Sequence, residues 1–591
     1  MRLHPGAYRG IGALRATAES HADPQPAPAW IAVGRDGSDV VAVRLAADGA
    51  ELSRVQVSAR DFAAFVAAEP ETRWVWSDTP AWHPGLLSAS VRVARAHDLR
   101  LCHAILRDSA LVEDDRGLRA AREWDAAPSV EDVSATLFDL EEIGAAGPPD
   151  DIDAALAEFA RQRAAVDASK DPGRLRLLLA AESAGALIAV EMRIAGLPWD
   201  AAEHERLLTE ILGARPAAGG MPVRMQELAE EVRIELRDPA ASLDSQPKLL
   251  RSLHRAGVLA ESTSRWELAR YEHPAISPLI QYKRLARLYT ANGWSWLAEW
   301  VRDGRFRPVY VPAGVVTGRW ASSGGGALQI PRNLRPAVKA DPGWALVVAD
   351  VAQLEPRVLA AMSGDAALAR AARGQDLYAG IVDSGAVATR AEAKVAILGA
   401  MYGATTGDSG RLLPALRRTY PRAMALVDEA ARVGQQGGVV STWLGRTSPA
   451  TSEGWREVQG AAAEPDASAA DEARARRRAA DRGRFTRNFV VQGTAAEWAL
   501  AWLADLRTRL AAMPPVEAER GAPASGRVFA TRPHLAFFLH DEIIVHTPAE
   551  RADEVAVAVR EAAASAARLL FGDFPVDFPL DLRIAQTAAK D

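Results

Sequence analysis

The chain predicts a multidomain α+β protein, and three observations lead there. Its 591 residues exceed what one hydrophobic core ordinarily organises, so roughly three or four domains are expected. Residues from Trp30 to about Leu111 mix short strand-like runs with helical stretches, the pattern of a small α/β domain. From about Pro172 helices dominate, and strands return only at Arg307–Val311, at Ala345–Asp350 and in a hairpin over 535–547.

Taken in order, residues 1–28 form a flexible tail that ends in the Pro/Ala-rich run Ala22-Asp-Pro-Gln-Pro-Ala-Pro-Ala. The α/β domain over 29–111 has strands at Ile31-Ala-Val, Val40–Leu45 and Trp74-Val-Trp, and a helix from Pro84 to His97. Residues 112–172 are acidic and Ala-rich and read as a connector with one or two helices. Helices follow over Leu175–Ala195, Ala202–Leu212 and, basic and amphipathic, Pro278–Asn292. The segment 451–483, with its Ala, Pro and Arg clusters, reads as a mobile surface insertion, and 513–533 as a loop rich in Pro and Gly. No internal repeat is visible.

Composition narrows the function classes. A lone cysteine, Cys102, excludes a disulfide framework and a Cys-based zinc site. The start, Met1-Arg-Leu-His-Pro-Gly, has no apolar signal core, and no segment is long and apolar enough for a membrane span, so a cytoplasmic protein is expected. Net charge of -6 gives no global sign of a polyanion partner, although a local basic groove matters more than the total. Basic charge is carried almost wholly by arginine, because only Lys170, Lys248, Lys283, Lys339, Lys394 and Lys590 are lysines.

Five short constellations carry chemistry. Trp344-Ala-Leu-Val-Val-Ala-Asp350 is an apolar strand ending on a carboxylate, and His540-Asp541-Glu542 places two acids in a turn between apolar runs. Unpaired acids beside buried strands are costly, and a divalent cation would stabilise them. Asp350 could equally cap the helix that opens at Gln353-Leu-Glu-Pro-Arg357, since capping and metal binding compete for the same oxygens. Arg390, Lys394, Leu398 and Tyr402 recur every four residues and share one helix face, two cations followed by an apolar and an aromatic side chain. In Thr317-Gly-Arg319 and the glycine-rich run to Gln329-Ile-Pro-Arg332, small residues allow close backbone approach while Arg319, Gln329 and Arg332 offer donors. Arg484, Asn488 and Gln492 share a face of another helix. Taken singly, the cationic face reads as solvated surface and the glycine run as a flexible loop; Leu398 and Tyr402 on the same stripe argue against a purely solvated face.

Together, in this order, the five elements closely resemble those of the family A DNA polymerases. Motif A of that family is similar to Asp350-Val-Ala-Gln-Leu-Glu355-Pro-Arg357, motif B to Arg390–Gly403, and motif C to His540-Asp541-Glu542. The likeness spans roughly 175–591. It implies a right-hand polymerase with an antiparallel palm sheet (about 306–370 and 484–591), a helical thumb (about 200–305) and fingers (about 371–450). In front of it would stand a ribonuclease-H-like α/β domain.

The resemblance further implies DNA-directed DNA polymerase activity with two Mg²⁺ ions, or Mn²⁺ in their place. Asp350 and Asp541, with the Val351 carbonyl and Glu542 in support, would hold them. Arg390 and Lys394 would clamp a dNTP, beside Gln353, Glu355, Leu398, Tyr402 and His540. Glu355 stands at the position that crowds a ribose 2′-hydroxyl in the family. Primer-template DNA would be met by Arg319, Gln329, Arg332, Arg357, Arg484, Asn488 and Gln492, and by Lys283, Arg284 and Arg287 of the thumb. A monomer without membrane contact is expected, associated with the nucleoid in replication or repair.

The chain departs from the family pattern in places. Val351-Ala352 stands where the family usually has Tyr-Ser, Leu398 where it has an aromatic residue, and Ile397 where it has Asn. The first strands of the N-terminal domain lack the Asp-x-Glu that a two-metal 3′–5′ exonuclease needs, so proofreading is expected to be lost. A polymerase retaining some exonuclease activity, and a primer-template binding protein with weak catalysis, remain the alternatives.

Overall fold

The computed structural model describes residues 28–128, 147–217, 220–326, 330–374, 376–403 and 407–590. The N-terminal unit is a five-stranded sheet of β1 (Trp30–Asp36), β2 (Asp39–Leu45), β3 (Glu51–Val57), β4 (Arg73–Trp76) and β5 (Arg95–Asp98), in the order β3-β2-β1-β4-β5. The pairings β1–β2 and β2–β3 are antiparallel, while β4 runs parallel to both β1 and β5. The helix expected over Pro84–His97 instead spans Thr79–Ser88. Asp78 caps its start by accepting from Ala81 N at 3.3 Å, with Pro80 in the first turn. Ser90 then turns with φ 65°, which frees Arg95–Asp98 to join the sheet.

The connector is corrected in part. Its helix α1 (Ile152–Asp167) packs back on the N-terminal sheet, where Ile152, Ala155 and Phe159 share a core with Ala32, Val43 and Val75. Gly34 of β1 is what permits this, because a Cβ there would lie 2.2 Å from Ile152 N. Residues 129–146, the tail over 1–27 and Gln329 lie outside the described residues.

Helix α2 (Pro172–Ala195) leads into a helical unit with its own core, where Leu208, Leu249 and Leu279 are fully buried. Its long helix is α3 (Ile276–Asn292). The strand expected over Arg307–Val311 is divided at Pro308, into pairs at Arg305–Phe306 and Val309–Val311, since proline cannot donate to a ladder.

The second sheet is wholly antiparallel and holds the site. It contains β6 (Trp344–Val351), β7 (His534–Leu539), β8 (Glu542–Pro548) and β9 (Leu580–Ala585), ordered β7-β8-β6-β9. Burial on both faces explains the unbroken apolar runs of β6 and β8. Helix α4 (Leu354–Ser363) follows β6, and α5 (Arg390–Tyr402) stands further along. Helices α6 (Ala469–Ala512) and α7 (Ala552–Phe571) pack together, and Trp502 Nε1 donates to Val559 O at 3.1 Å.

The segment 451–483 differs from expectation because it is helical. Ser452 caps a short helix over Glu453–Ala461, and Ser468 caps α6 by accepting from Asp471 N at 3.1 Å. Alanine and arginine are strong helix formers, and Glu472–Arg476 adds an i,i+4 ion pair at 3.0 Å. At 44 residues α6 runs about 66 Å. No helix among the described residues is long and apolar enough to cross a membrane.

A candidate two-carboxylate active site

Asp350 lies near the end of β6, with Glu542 of β8 as its register partner on one side and Asp581 of β9 on the other. Asp541 sits in the two-residue turn between β7 and β8, where His540 takes a left-handed φ of 56°. Val351 N donates to Asp541 O at 2.9 Å, which ties the turn to β6 beside Asp350. The two acids, 191 positions apart in sequence, therefore meet at one end of the sheet's inner strands. The helix N-cap is Gln353 (φ 49°), so Asp350 stays in the strand and is not consumed by capping.

The electrostatics of the acids differ. Burial, reinforced by the neighbouring Asp350 charge, pushes the Asp541 carboxyl up to about 6. Glu542 feels the same burial, but Arg335 and Lys590 outweigh it and hold that carboxyl below the usual range. Arg335 donates to both Glu542 oxygens (Nη2–Oε2 2.7 Å), and Lys590 Nζ lies 3.2 Å from Oε2. Lys590 also donates to Asp350 Oδ2 at 3.0 Å. Glu542, expected to support a metal, thus has both oxygens committed to Arg335. His540 is half-buried, and burial lowers its imidazole to about 4, so it is neutral at pH 7.

Among the described residues no group of three or more His, Cys, Asp or Glu side chains forms a metal cage. Two adjacent carboxylates, one raised in pKa by burial and by its acidic neighbour, suit a hard divalent cation whose remaining ligands are other oxygens such as water. The donor set fits Mg²⁺ in that open manner.

Beside the acids, Tyr402 Oη donates to Glu355 Oε2 at 2.5 Å, and Arg319 donates to Glu355 Oε1. Thr317 Oγ1 donates to Gln492 Oε1 at 2.9 Å, and the buried Asn488 Oδ1 has no hydrogen-bond partner. Helix α5 starts with a capping box between Thr389 and Glu392, which fixes the orientation of its Arg390–Lys394–Leu398–Tyr402 face. Lys394 is exposed, Leu398 is half-buried against the main core, and Arg390 is paired with Asp376 at 2.6 Å, its guanidinium 5.4 Å from the Tyr378 ring centre.

Several expectations need correction. Arg357, expected on DNA, is fully buried and donates to Ala352 O (2.7 Å), Asp577 O (2.9 Å) and Gly374 O (3.1 Å). Its partners lie in the segments that follow Asp350 and precede β9, so it fastens the backbone just after Asp350. Gln353, expected at the nucleotide, accepts from Leu377 N and from Arg357, both at 3.3 Å. Lys283 points into its own unit and donates to Thr263 Oγ1 at 2.6 Å. Arg284 and Arg287 instead line a cleft of about 540 Å³ with Arg332 and Asn333. Arg484 is exposed and paired with Asp481. Sequence reasoning missed Arg335, Asp376 and Lys590; the scarcity of lysine was the one signal pointing at Lys590.

A sheet carrying paired carboxylates, flanked by a basic helix face and an arginine-lined cleft, defines a polymerase-type fold. The chain belongs to DNA polymerase family A, whose model matches residues 244–589. It is 26% identical to the thermostable DNA polymerase I of Thermus aquaticus over 566 residues, covering 85% of this chain and 61% of that protein. It is 30% identical to DNA polymerase I of Chloroflexus aurantiacus over 340 residues, covering 53% of this chain and 32% of that protein. The chain spans about half the length of the curated relatives it matches. In fold it is similar to the polymerase domain of Pol1 from M. smegmatis, solved with DNA primer-template and dNTP, with a TM-score of 0.64, 17% identity and 95% of each chain covered.

Proposed function

We propose that this chain is a DNA-directed DNA polymerase that adds deoxynucleoside monophosphates to a primer 3′-hydroxyl. The observation that carries the reading is the meeting of Asp350 with Asp541 at one end of the inner strands of the sheet, where burial and the Asp350 charge together raise the Asp541 carboxyl. Asp350 and Asp541 would hold Mg²⁺, or Mn²⁺ in its place, with the Val351 carbonyl beside them. Bound there, the ions would lower the pKa of the primer hydroxyl and neutralise charge on the leaving pyrophosphate.

The chain's own residues position the reactants. Lys394, exposed on α5, presents its ammonium to the triphosphate, and Arg390 joins it on releasing Asp376. Glu355, held from two sides by Tyr402 and Arg319, presents a fixed edge to the sugar. Arg284, Arg287 and Arg332 supply positive charge along the cleft for the duplex backbone, while Arg319, Asn488 and Gln492 face base edges in the minor groove. In this reading the helical unit around α3 is the thumb, the four-stranded sheet the palm, and α5 belongs to the fingers. The setting is cytoplasmic DNA, and the enzyme acts as a monomer.

The strand order β3-β2-β1-β4-β5 supports a ribonuclease-H-like N-terminal domain. Loss of proofreading is supported by what occupies the end of β1. Arg35 donates to Asp150 at 2.6 Å and lies 4.8 Å from the Trp82 ring centre, and Ser77 and Trp82 also donate to Asp150, at 2.6 and 3.0 Å. Asp150 is thereby tied to a cation and two further donors. Primer extension with four dNTPs, run beside lanes without nucleotides, tests both parts: extension without primer shortening is expected, and shortening that persists in Asp541→Ala would restore the exonuclease.

A further inference from the structure

We propose that Lys590 is a tethered cation that occupies the divalent-ion side of Asp350 while the site is empty of metal and gives way when a divalent ion binds. The inference rests on the two-carboxylate reading above.

The path of the chain into the site is fixed. After β9, Ala340 N donates to Gln586 O at 2.9 Å, and Gln586 Nε2 donates to Trp344 O at 2.9 Å. Thr587 bridges to Lys339, Ala588 N donates to Val338 O at 2.9 Å, and Arg583 Nη2 holds Ala588 O at 3.0 Å. Ala588 is fully buried. These contacts fasten residues 586–588 at the edge of the sheet, so that only the lysine arm needs to reach the acids.

Charge explains why it does so. Asp350, Asp541 and Glu542 converge, and Arg335 compensates only Glu542. Among the described residues, Lys590 is the one cation within ion-pair distance of Asp350, at 3.0 Å, and it also touches Glu542 Oε2 at 3.2 Å. A divalent ion shared by Asp350 and Asp541 would displace the ammonium from Asp350 yet leave its contact with Glu542. The residue type matters. In a chain that otherwise relies on arginine, a lysine stands here; its point-charge ammonium lets go more readily than a guanidinium forked across a carboxylate.

The test is Mn²⁺ binding to the full DNA-free chain, read by the paramagnetic resonance of free Mn²⁺, with thermal unfolding in EDTA and in Mg²⁺. Lys590→Met should tighten Mn²⁺ binding about 2- to 5-fold, the scale of one partly exposed ion pair. It should also lower the midpoint of unfolding in EDTA, a loss that Mg²⁺ removes. Lys590→Arg should bind Mn²⁺ no more tightly than the parent. Unchanged or weaker Mn²⁺ binding by Lys590→Met, with Asp350→Asn abolishing it, would overturn the role of Lys590 alone. Mn²⁺ binding that ignores Asp350→Asn would overturn the two-carboxylate reading and this inference with it.

Discussion

Tyr402 and Glu355 are joined by a hydrogen bond of 2.5 Å between the end of α5 and the first turn of α4. The bond couples the helix bearing Lys394 to the strand–helix turn that follows Asp350. Because Arg319 holds the other Glu355 oxygen, the carboxylate is fixed at both ends. A bond to a charged acceptor in a half-buried site contributes about 1.5–3 kcal/mol.

Glu355→Ala should therefore raise the use of ribonucleotides relative to deoxynucleotides at least about 10-fold, with duplex binding little changed, since about 1.4 kcal/mol of discrimination is a factor of ten. Single-nucleotide insertion with matched dNTP and rNTP reads this directly. Tyr402→Phe should move the ratio in the same direction by less, because Arg319 still holds Glu355.

The proton on Asp541 competes with metal. With the carboxyl pushed up to about 6, the half-saturating Mn²⁺ concentration of the DNA-free protein should rise as pH falls through 6. It should climb about tenfold per pH unit below that value for a single competing proton. Titrations at pH 5, 6 and 7 check the slope, and a flat profile would mean that Asp541 does not ligate.

Glu497 on α6 makes stability pH-dependent. It is buried and pushed up to about 7, while Thr442 Oγ1 and Leu444 N donate to it. Its proton is held more tightly in the folded chain than in the unfolded one, whose carboxyl titrates near 4.5. This contribution to stability is full below 4.5 and is lost as pH rises through 7. Glu497→Gln should keep it, and unfold with about 1–3 kcal/mol more stability than the parent at pH 8. Denaturant melts at pH 5 and pH 8 give the comparison.

Two arginines should separate cleanly. Arg357→Ala removes a buried guanidinium from several carbonyls and should cost about 2–4 kcal/mol of stability, without altering the salt dependence of DNA binding. Arg287→Ala, in the open cleft, should leave stability unchanged and reduce the salt slope of duplex affinity by about one.

What could be read from the sequence followed its locality. Asp350 and Asp541 stood out because each adjoins an apolar run, and the period-four face of α5 is a property of thirteen neighbouring residues. Arg335 and Lys590 lie 207 and 240 positions from the acids they meet, and no local pattern reaches so far. Arg357 misled because charge at a motif suggests a ligand, whereas α4 buries that position among the carbonyls of the surrounding loops. The 451–483 segment misled because alanine, arginine and glutamate serve a disordered linker and a long helix alike; the serine caps decide it. In the N-terminal domain the strands were legible, but the fold-back of α1 depends on a glycine meeting a backbone 118 positions away.

The most direct test is single-turnover primer extension in Mg²⁺ with duplex affinity measured on the same samples. Asp541→Ala and Asp350→Ala should each slow nucleotide addition at least about 10³-fold, some 4 kcal/mol of barrier, while primer-template binds as before. Extension at the parental rate by either variant would contradict the account.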